Sequence, residues 1–185
     1  MALTESNMLP LGSKAPDFNL LDTVSGELKS FSEIKGEKGS VVLFLCNHCP
    51  YVIHVNEELV KIANEYRSKG IGFVAISSND IEKYPDDGPD KMRIVAKVLR
   101  YPFSYLFDET QDVAKAYDAA CTPDIYLFDS NDLLFYRGRL DDSRPNSGIP
   151  LSGKDLRGAI DTLLNNQEAP SIQYPSAGCN IKWKM

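Results

Sequence analysis

A short stretch in the first third of the chain, residues 41–55 with the sequence VVLFLCNHCPYVIHV, constrains the fold most strongly. Its first five residues are apolar without alternation, which predicts a strand buried on both faces, as in a parallel sheet. Pro50 suits the first turn of a helix, and apolar residues then recur every three or four positions until Gly70. The stretch therefore predicts a buried strand that leads directly into a helix, with Cys46 and Cys49 at the junction.

The remainder of the chain alternates predicted strands with predicted helices. Strands are predicted over residues 71–77, 103–107, 125–129 and 133–137, and helices over residues 91–100, 109–118 and 153–166. Before them, residues 18–20 and 28–30 predict a short N-terminal hairpin. The last two strands are joined by the turn sequence DSND and predict a second, antiparallel hairpin. This order predicts an α/β fold in which a mixed central β-sheet is flanked by helices.

The composition is that of a soluble domain with its own hydrophobic core. Of 185 residues, 43% are hydrophobic, and a net charge of -6 without a lysine–arginine cluster argues against a nucleic-acid partner. No apolar run approaches the roughly 18 residues of a membrane span, and the N-terminus lacks the basic and apolar regions of a signal peptide. We therefore expect no membrane partner and a cytoplasmic location, where the four cysteines would not serve as structural disulfides.

Cys46 and Cys49 are predicted to lie where thiols become reactive. The N-terminus of a helix carries partial positive charge and free amide groups, which lower the pKa of a thiol and favour the nucleophilic thiolate. Cysteines with this spacing lie within one helical turn and are close enough to form a disulfide. His48 lies between them, and its protonated imidazole would stabilise a thiolate further. The pattern predicts a dithiol–disulfide couple with Cys46 and Cys49 as the catalytic residues.

Metal binding is the main alternative for the same residues. Cys46, His48 and Cys49 offer ligand atoms, with Cys121 or His54 as a further ligand. Tetrahedral zinc, however, usually needs a second ligand pair of similar spacing, which the sequence lacks. Cysteines that only pack are another alternative, although the mouth of a helix is not a core position. We expect neither a metal nor another cofactor.

A second motif, Thr122-Pro123 in the sequence CTPD, immediately precedes a predicted strand. Proline cannot donate a hydrogen bond in a sheet and therefore suits the first position of a strand. A cis peptide bond here would expose the backbone of Thr122 to an incoming extended chain, whereas a trans proline in an ordinary loop is the alternative. Cys121, the preceding residue, is either a third redox thiol or a small buried apolar side chain.

Taken in order, CNHC after a buried strand, TP before a strand hairpin and the closing helix resemble the thioredoxin superfamily. The opening APDFNLLD, the N-terminal hairpin extension and a helical insertion near residues 78–100 resemble its redoxin branch. That branch includes the peroxiredoxins of the alkyl-hydroperoxide-reductase and thiol-specific-antioxidant type and the TlpA-like thiol–disulfide oxidoreductases. The tail PSAGCNIKWK is similar to that of a bacterial subgroup. The resemblance implies a thioredoxin fold, with residues 1–165 as one redoxin domain and residues 166–185 as a C-terminal tail docked on it.

The resemblance also implies roles for individual residues. By the thioredoxin pattern, Cys46 attacks the substrate and Cys49 resolves the mixed disulfide. The residues that would tune the pair or contact the substrate are Asn47, His48, Pro50, Thr122 and Pro123. The substrate would be a protein disulfide, electrons would come from an external thiol reductant such as thioredoxin, and a homodimer would be typical of the branch.

Departures from the family patterns leave two other activities open. Val42 and Cys46 stand where peroxiredoxins have the proline and threonine of a PxxxTxxC motif, and Leu45 stands where thioredoxin has a tryptophan. Cys49 remains at the peroxidatic position, so a thiol peroxidase that consumes a hydroperoxide is the alternative. The thiols that would then resolve the sulfenic acid are Cys46, Cys121 and Cys179. A copper chaperone of the same fold is a third activity, although those proteins space their cysteines by three residues.

Cys179 lies in the tail sequence GCNIKWK and is the other candidate for an additional redox thiol. It is either a mobile resolving thiol or an inert residue in a strand that docks on the domain through Ile181 and Trp183. We favour docking, because the only tryptophan of the chain follows it and a tryptophan is expected to pack.

Overall fold

The computed structural model of the protein describes residues 3–184. The strands are β1 (Leu3–Glu5), β2 (Asn19–Asp22), β3 (Leu28–Ser30), β4 (Gly39–Phe44), β5 (Ile71–Ser77), β6 (Ser104–Phe107), β7 (Cys121–Thr122), β8 (Asp124–Asp129), β9 (Leu134–Gly138) and β10 (Ala177–Asn180). The helices are α1 (Phe31–Ile34), α2 (Pro50–Arg67), α3 (Pro89–Val98), α4 (Asp112–Ala116) and α5 (Lys154–Leu164), with a 3₁₀ turn at Pro85–Asp87. No helix within residues 3–184 combines the length and the hydrophobicity needed to cross a membrane.

The large sheet has the strand order β3-β2-β6-β5-β4-β8-β9. Strand β4 lies inside the sheet, where it pairs in parallel with β5 and antiparallel with β8, so the sheet is mixed. All six residues of β4 are buried, because apolar layers cover both faces of the sheet. The predicted α/β architecture of the thioredoxin type, with helices flanking a mixed sheet, is confirmed.

The core consists of two apolar layers separated by this sheet. Val41 and Leu43 pack on one face with residues of α2 and α5, whereas Val42 and Phe44 pack on the other face with Tyr117. Successive residues of a strand point to opposite faces, so a strand covered on both sides is apolar at every position. Burial of each such side chain contributes about 1.5–3 kcal/mol to the free energy of unfolding. This packing holds β4 in place and thereby positions the end of the strand from which the CxxC motif projects.

Several predicted elements differ from the structure by one or more residues at their ends, and the N-terminal hairpin and the fourth helix are two of them. The N-terminal hairpin begins with Asn19 opposite Ser30, so Phe18 lies outside its strand. The helix predicted over residues 109–118 is confined to α4, because Gln111 at its N-cap adopts the left-handed conformation, with φ of 65°. A right-handed helix cannot continue through a residue in that conformation.

The C-terminal tail returns to the domain as strand β10. It lies between β1 and β7 in a second, three-stranded sheet, with Cys179 opposite Leu3 on one side and Thr122 on the other. Ile181 is buried, as expected of a docked tail, whereas Trp183 remains 39% exposed. The expectation for Trp183 was therefore wrong, because strand pairing and Ile181 account for the docking.

Candidate active site

The CxxC motif occupies the connection between β4 and α2. The amide of Leu45 still donates to the carbonyl of Ile76, so the chain leaves the sheet immediately before Cys46. Cys49 is the N-cap of α2 in an extended conformation, and Pro50 is its first helical residue, as predicted. Cys46 and Cys49 are 2% and 0% exposed, respectively. The local sequence thus places two buried thiols at the positive end of a helix.

Thr122 contacts both thiols of the motif. Its hydroxyl oxygen lies 3.4 Å from Sγ of Cys46, and its carbonyl oxygen lies 3.3 Å from Sγ of Cys49. The peptide bond between Thr122 and Pro123 is cis. The structure therefore brings together the two motifs that the sequence singled out, although more than seventy residues separate them.

The environment separates the acidities of the two thiols. The pKa of Cys49 is lowered to about 5. The largest cause is a hydrogen bond that the Cys46 thiol donates to the Cys49 sulfur, and Cys179 and backbone amides donate further hydrogen bonds. Together these hydrogen bonds outweigh the effect of burial, which raises the pKa. The pKa of Cys46 is raised by that same hydrogen bond, by burial and by the nearby carboxylate of Asp87. The surroundings thus favour the thiolate on Cys49 over a thiolate on Cys46, whereas the thioredoxin pattern implied that Cys46 would attack.

Asp87 is the main site residue that sequence reasoning missed. It is fully buried in the 3₁₀ turn of the insertion. One of its carboxylate oxygens accepts the amide of Asn47 at 2.7 Å, and the other accepts the side chain of Asn79 at 2.8 Å. The acidic loop around Asp87 has the composition of a solvated segment, and no motif in the sequence distinguishes this carboxylate from its exposed neighbours. The insertion therefore places a buried carboxyl group beside the CxxC motif.

His48 lies against Asp87, and one of its ring nitrogens is also within 4.8 Å of the Cys46 sulfur. Its Nδ1 lies 2.7 Å from a carboxylate oxygen of Asp87, an ion-pair distance without good hydrogen-bond geometry, and its ring stacks on Tyr84 at 5.5 Å. Neither ring nitrogen has a well-formed hydrogen bond to any residue in the described part of the chain. No hydrogen bond joins His48 to either thiol of the motif within residues 3–184, so the effect of His48 on a nearby thiolate stays a prediction.

Asn47, the other central residue of the motif, has a structural role. Its side-chain amide donates to the carbonyl of Asp86 at 2.8 Å, and its oxygen accepts the hydroxyl of Tyr105 at 3.1 Å. These contacts tie the motif to the insertion and to β6. Asn47 therefore fixes the conformation of the loop that carries Cys46.

A ligand set for a metal ion can be assembled from Cys46, His48 and Asp87, whose donor atoms lie within 4.8 Å of one another. It differs from the sequence-derived set, because Asp87 takes the place of Cys49. His54 lies outside it and contacts Ser143 at 2.8 Å. Both oxygens of Asp87 already accept hydrogen bonds, so the set is explained without an ion, and we assign no metal to it.

The two additional cysteines differ in their relation to the CxxC motif. Cys121 is buried, and its thiol lies 3.6 Å from the carbonyl oxygen of Pro123. Burial and the carboxylate of Asp124 raise its pKa. Cys179, which is 3% exposed, lies with its Sγ 2.7 Å from Sγ of Cys49. Of these two thiols, the tail cysteine is therefore the one in contact with the motif.

The backbone of Thr122 is not open to an incoming chain. β10 pairs antiparallel with β7, with Cys179 opposite Thr122 and Asn180 opposite Cys121. Gly178 permits this close approach, because a β-carbon there would collide with the carbonyl oxygen of Thr122. The expectation that a partner chain pairs directly with Thr122 is corrected by this arrangement, since the protein's own tail already occupies that edge.

Comparison with known proteins places the chain in a family. The profile of the Redoxin family matches residues 10–149. An uncharacterised conserved protein from Geobacillus kaustophilus is 55% identical, with 100% of this chain and 97% of that chain covered and a TM-score of 0.98. A hypothetical protein from Sinorhizobium meliloti 1021 is 42% identical, with 98% of each chain covered and a TM-score of 0.95.

A more distant structure shares the fold. The thioredoxin domain of a thiol–disulfide oxidoreductase from Bacteroides vulgatus is 21% identical, with 85% of this chain and 99% of that chain covered and a TM-score of 0.65. No curated protein matches the chain. Because the Redoxin profile extends over most of the 185 residues, the chain belongs to the Redoxin family.

Proposed function

We propose that this protein is a thiol–disulfide oxidoreductase that uses Cys46 and Cys49 as its dithiol–disulfide couple. The observation that carries the proposal is that both sulfurs lie at the N-terminus of α2 and contact Thr122. The lowered pKa of Cys49 is consistent with a nucleophilic thiol at this place. Membership of the Redoxin family and the likeness to thioredoxin-fold proteins support thiol-based redox chemistry in general.

The contacts suggest how the couple works. Cys49, as the thiolate, attacks one sulfur of a substrate disulfide, and the other substrate sulfur leaves with the electron pair of the broken bond. Cys46 then attacks Sγ of Cys49, which releases the second substrate thiol and leaves the Cys46–Cys49 disulfide. Two electrons pass from the dithiol to the substrate, and an external thiol reductant such as thioredoxin restores the dithiol. No cofactor takes part in this cycle.

Variants of the cysteines test the assignment. Cys49→Ser is expected to abolish disulfide reduction. The double variant Cys46→Ser/Cys179→Ser lacks both Cys46 and the tail thiol in contact with Cys49, and it is expected to stop after one step and accumulate a mixed disulfide with the substrate. Cys121→Ser is the matched control, because its buried thiol contacts Pro123 and is assigned no step. Insulin reduction in the presence of dithiothreitol, with mass spectrometry of the trapped species, measures all three. Wild-type turnover in Cys49→Ser would rule out the proposal.

A thiol peroxidase is the second candidate, because Cys49, whose pKa is lowered, also stands at the position that the resemblance to peroxiredoxins makes peroxidatic. A hydroperoxide would oxidise this thiolate to a sulfenic acid, which Cys46 would resolve to the same disulfide with release of water. The two functions differ in substrate and in the Cys46→Ser variant. A peroxidase is expected to consume one equivalent of hydroperoxide rapidly in that variant, whereas a disulfide reductase is expected to react with it only slowly.

A further inference from the structure

We infer that Cys179 is a third redox thiol, to which the Cys46–Cys49 disulfide is transferred by exchange at Cys49. The inference rests on the proposed function, because it takes the disulfide of that couple as its starting point. The tail strand then acts as a substrate attached to the same chain. The formation and the loss of the Cys49–Cys179 disulfide can be measured separately from the reduction of an external substrate.

The register of β10 directs Cys179 at the motif. Cys179 lies opposite Thr122 in the antiparallel pairing with β7, and Thr122 is the residue that contacts both catalytic sulfurs. The sulfurs of Cys179 and Cys49 are 2.7 Å apart, so a displacement of roughly 0.7 Å would bring them to the length of a disulfide bond of about 2.05 Å. The tail therefore holds its thiol beside Cys49, the sulfur at which the exchange takes place.

Hydrogen bonds on both sides of Cys179 hold the strand in this register. Before it, the hydroxyl of Ser176 donates to the carbonyl of Pro123 at 2.5 Å. After it, the amide of Ile181 donates to the carbonyl of Ala120 at 3.1 Å, and the amide of Lys182 donates to the side chain of Asn79 at 2.8 Å. The position of the Cys179 sulfur is thus fixed by its neighbours and does not depend on a loose tail.

The exchange balances without an external oxidant. The thiolate of Cys179 attacks Sγ of Cys49, a Cys49–Cys179 bond forms, and the Cys46–Cys49 bond breaks. Cys46 leaves as a thiolate and takes up a proton. One disulfide is present before the step and one after it, so the two oxidising equivalents move from Cys46 to Cys179 and the thiol of Cys46 is regenerated.

Oxidation of the Cys46–Cys49 couple removes two of the causes that raise the pKa of Cys179, although burial continues to raise it. Burial raises the pKa of Cys179 to about 12, together with its hydrogen bond to Cys49 and the negative charge of the Cys49 thiolate. The two contributions of Cys49 disappear once Cys49 is part of a disulfide, whereas Lys182 continues to favour the thiolate of Cys179. Cys179 therefore becomes more nucleophilic at the stage at which it is needed.

The test is disulfide mapping of the full-length protein after mild oxidation with diamide, acid quenching and alkylation of the remaining thiols. Oxidised wild type is expected to give both Cys46–Cys49 and Cys49–Cys179 linked peptides. Cys46→Ser keeps three of the four cysteines. Because Cys49 and Cys179 are expected to form a disulfide in this variant, only the thiol of Cys121 should remain free after oxidation. Cys121→Ser is the control and is expected to give both wild-type linkages.

The outcomes separate this inference from the proposed function. A monomeric Cys46→Ser protein that keeps three free thiols, while wild type forms the Cys46–Cys49 disulfide, would overturn the role of Cys179 and leave the oxidoreductase intact. Wild type that forms neither linkage would instead contradict the proposed function and the inference built on it. If Cys46→Ser does not fold, the wild-type map decides, because absence of the Cys49–Cys179 peptide overturns the inference.

Discussion

Gly178 packs directly against the carbonyl oxygen of Thr122, in the pairing that brings Cys179 to Cys49. Any side chain at position 178 would have to displace the strand or the Thr122 carbonyl. This single contact thus links the conformation of the C-terminal tail to the accessibility of the thiols beneath it.

Gly178→Ala is expected to loosen β10 and destabilise the protein by about 1–3 kcal/mol, because an added methyl group in a tightly packed contact forces the backbone to shift. Alkylation of Cys49 and Cys179 in the reduced native protein should accelerate, which mass spectrometry can follow with time.

Gly158→Ala is the matched control, since a β-carbon there meets open space on α5. It should raise helix stability by about 0.5–1 kcal/mol and leave alkylation unchanged. Equal alkylation rates in both variants would refute the link between tail and site.

The reduced protein is expected to carry one thiolate at neutral pH, on Cys49, whose pKa is about 5. Ultraviolet absorbance of the thiolate, followed during acid titration, should show this midpoint and should lose it in Cys49→Ser. The hydrogen bond from Cys46 is the largest cause of the low pKa, so Cys46→Ala should move the midpoint to higher pH. A midpoint that stays in Cys49→Ser would assign the thiolate to another cysteine.

Asp87→Asn is expected to make Cys46 more acidic, because the carboxylate of Asp87 contributes to the raised pKa of that thiol. In a Cys49→Ser background, which isolates Cys46 within the pair, alkylation by iodoacetamide at neutral pH should become several-fold faster. The amide would also lose the contact with Asn79, at a cost of about 1–3 kcal/mol. The neighbouring Asp86→Asn is the control, since that side chain is exposed. Similar rates in the two variants would show that the buried charge does not act on Cys46.

The strand–helix junction could be predicted from sequence because its physical requirements are local. The apolar run before Cys46 needs burial on both faces, and Pro50 suits only the start of a helix. The same locality explains why the CxxC motif and the Thr122-Pro123 motif were found separately. Their contact follows from the sheet order that places β8 beside β4, which no single segment specifies.

The remaining features of the site depend on long-range packing that leaves little trace in the sequence. Asp87 is buried by its bonds to Asn47 and Asn79, yet it lies in a loop whose composition is that of a solvated segment. The strand at Ala177–Asn180 contains none of the β-branched or aromatic residues typical of strands. It is held by pairing on both sides, with Gly178 where side chains would clash. Its position therefore becomes evident only once the fold is known.

Asp124, the first residue of β8 after Pro123, should make the stability of the protein depend on pH. Burial raises its pKa to about 7, and one of its oxygens has no hydrogen-bond partner within residues 3–184. Between about pH 4 and pH 7 the unfolded chain ionises this carboxyl while the folded protein keeps it protonated, so stability falls as pH rises through that window. Asp124→Asn removes the titration and should be the more stable protein above pH 7, by an amount on the order of a few kcal/mol. Urea unfolding at several pH values measures the effect as the difference in the free energy of unfolding between wild type and Asp124→Asn. A difference that does not depend on pH would show that Asp124 is ionised in the folded state.

Tyr126→Phe tests the same carboxyl group from its partner. It removes a hydrogen bond that lowers the pKa of Asp124, so the loss of stability should extend to higher pH.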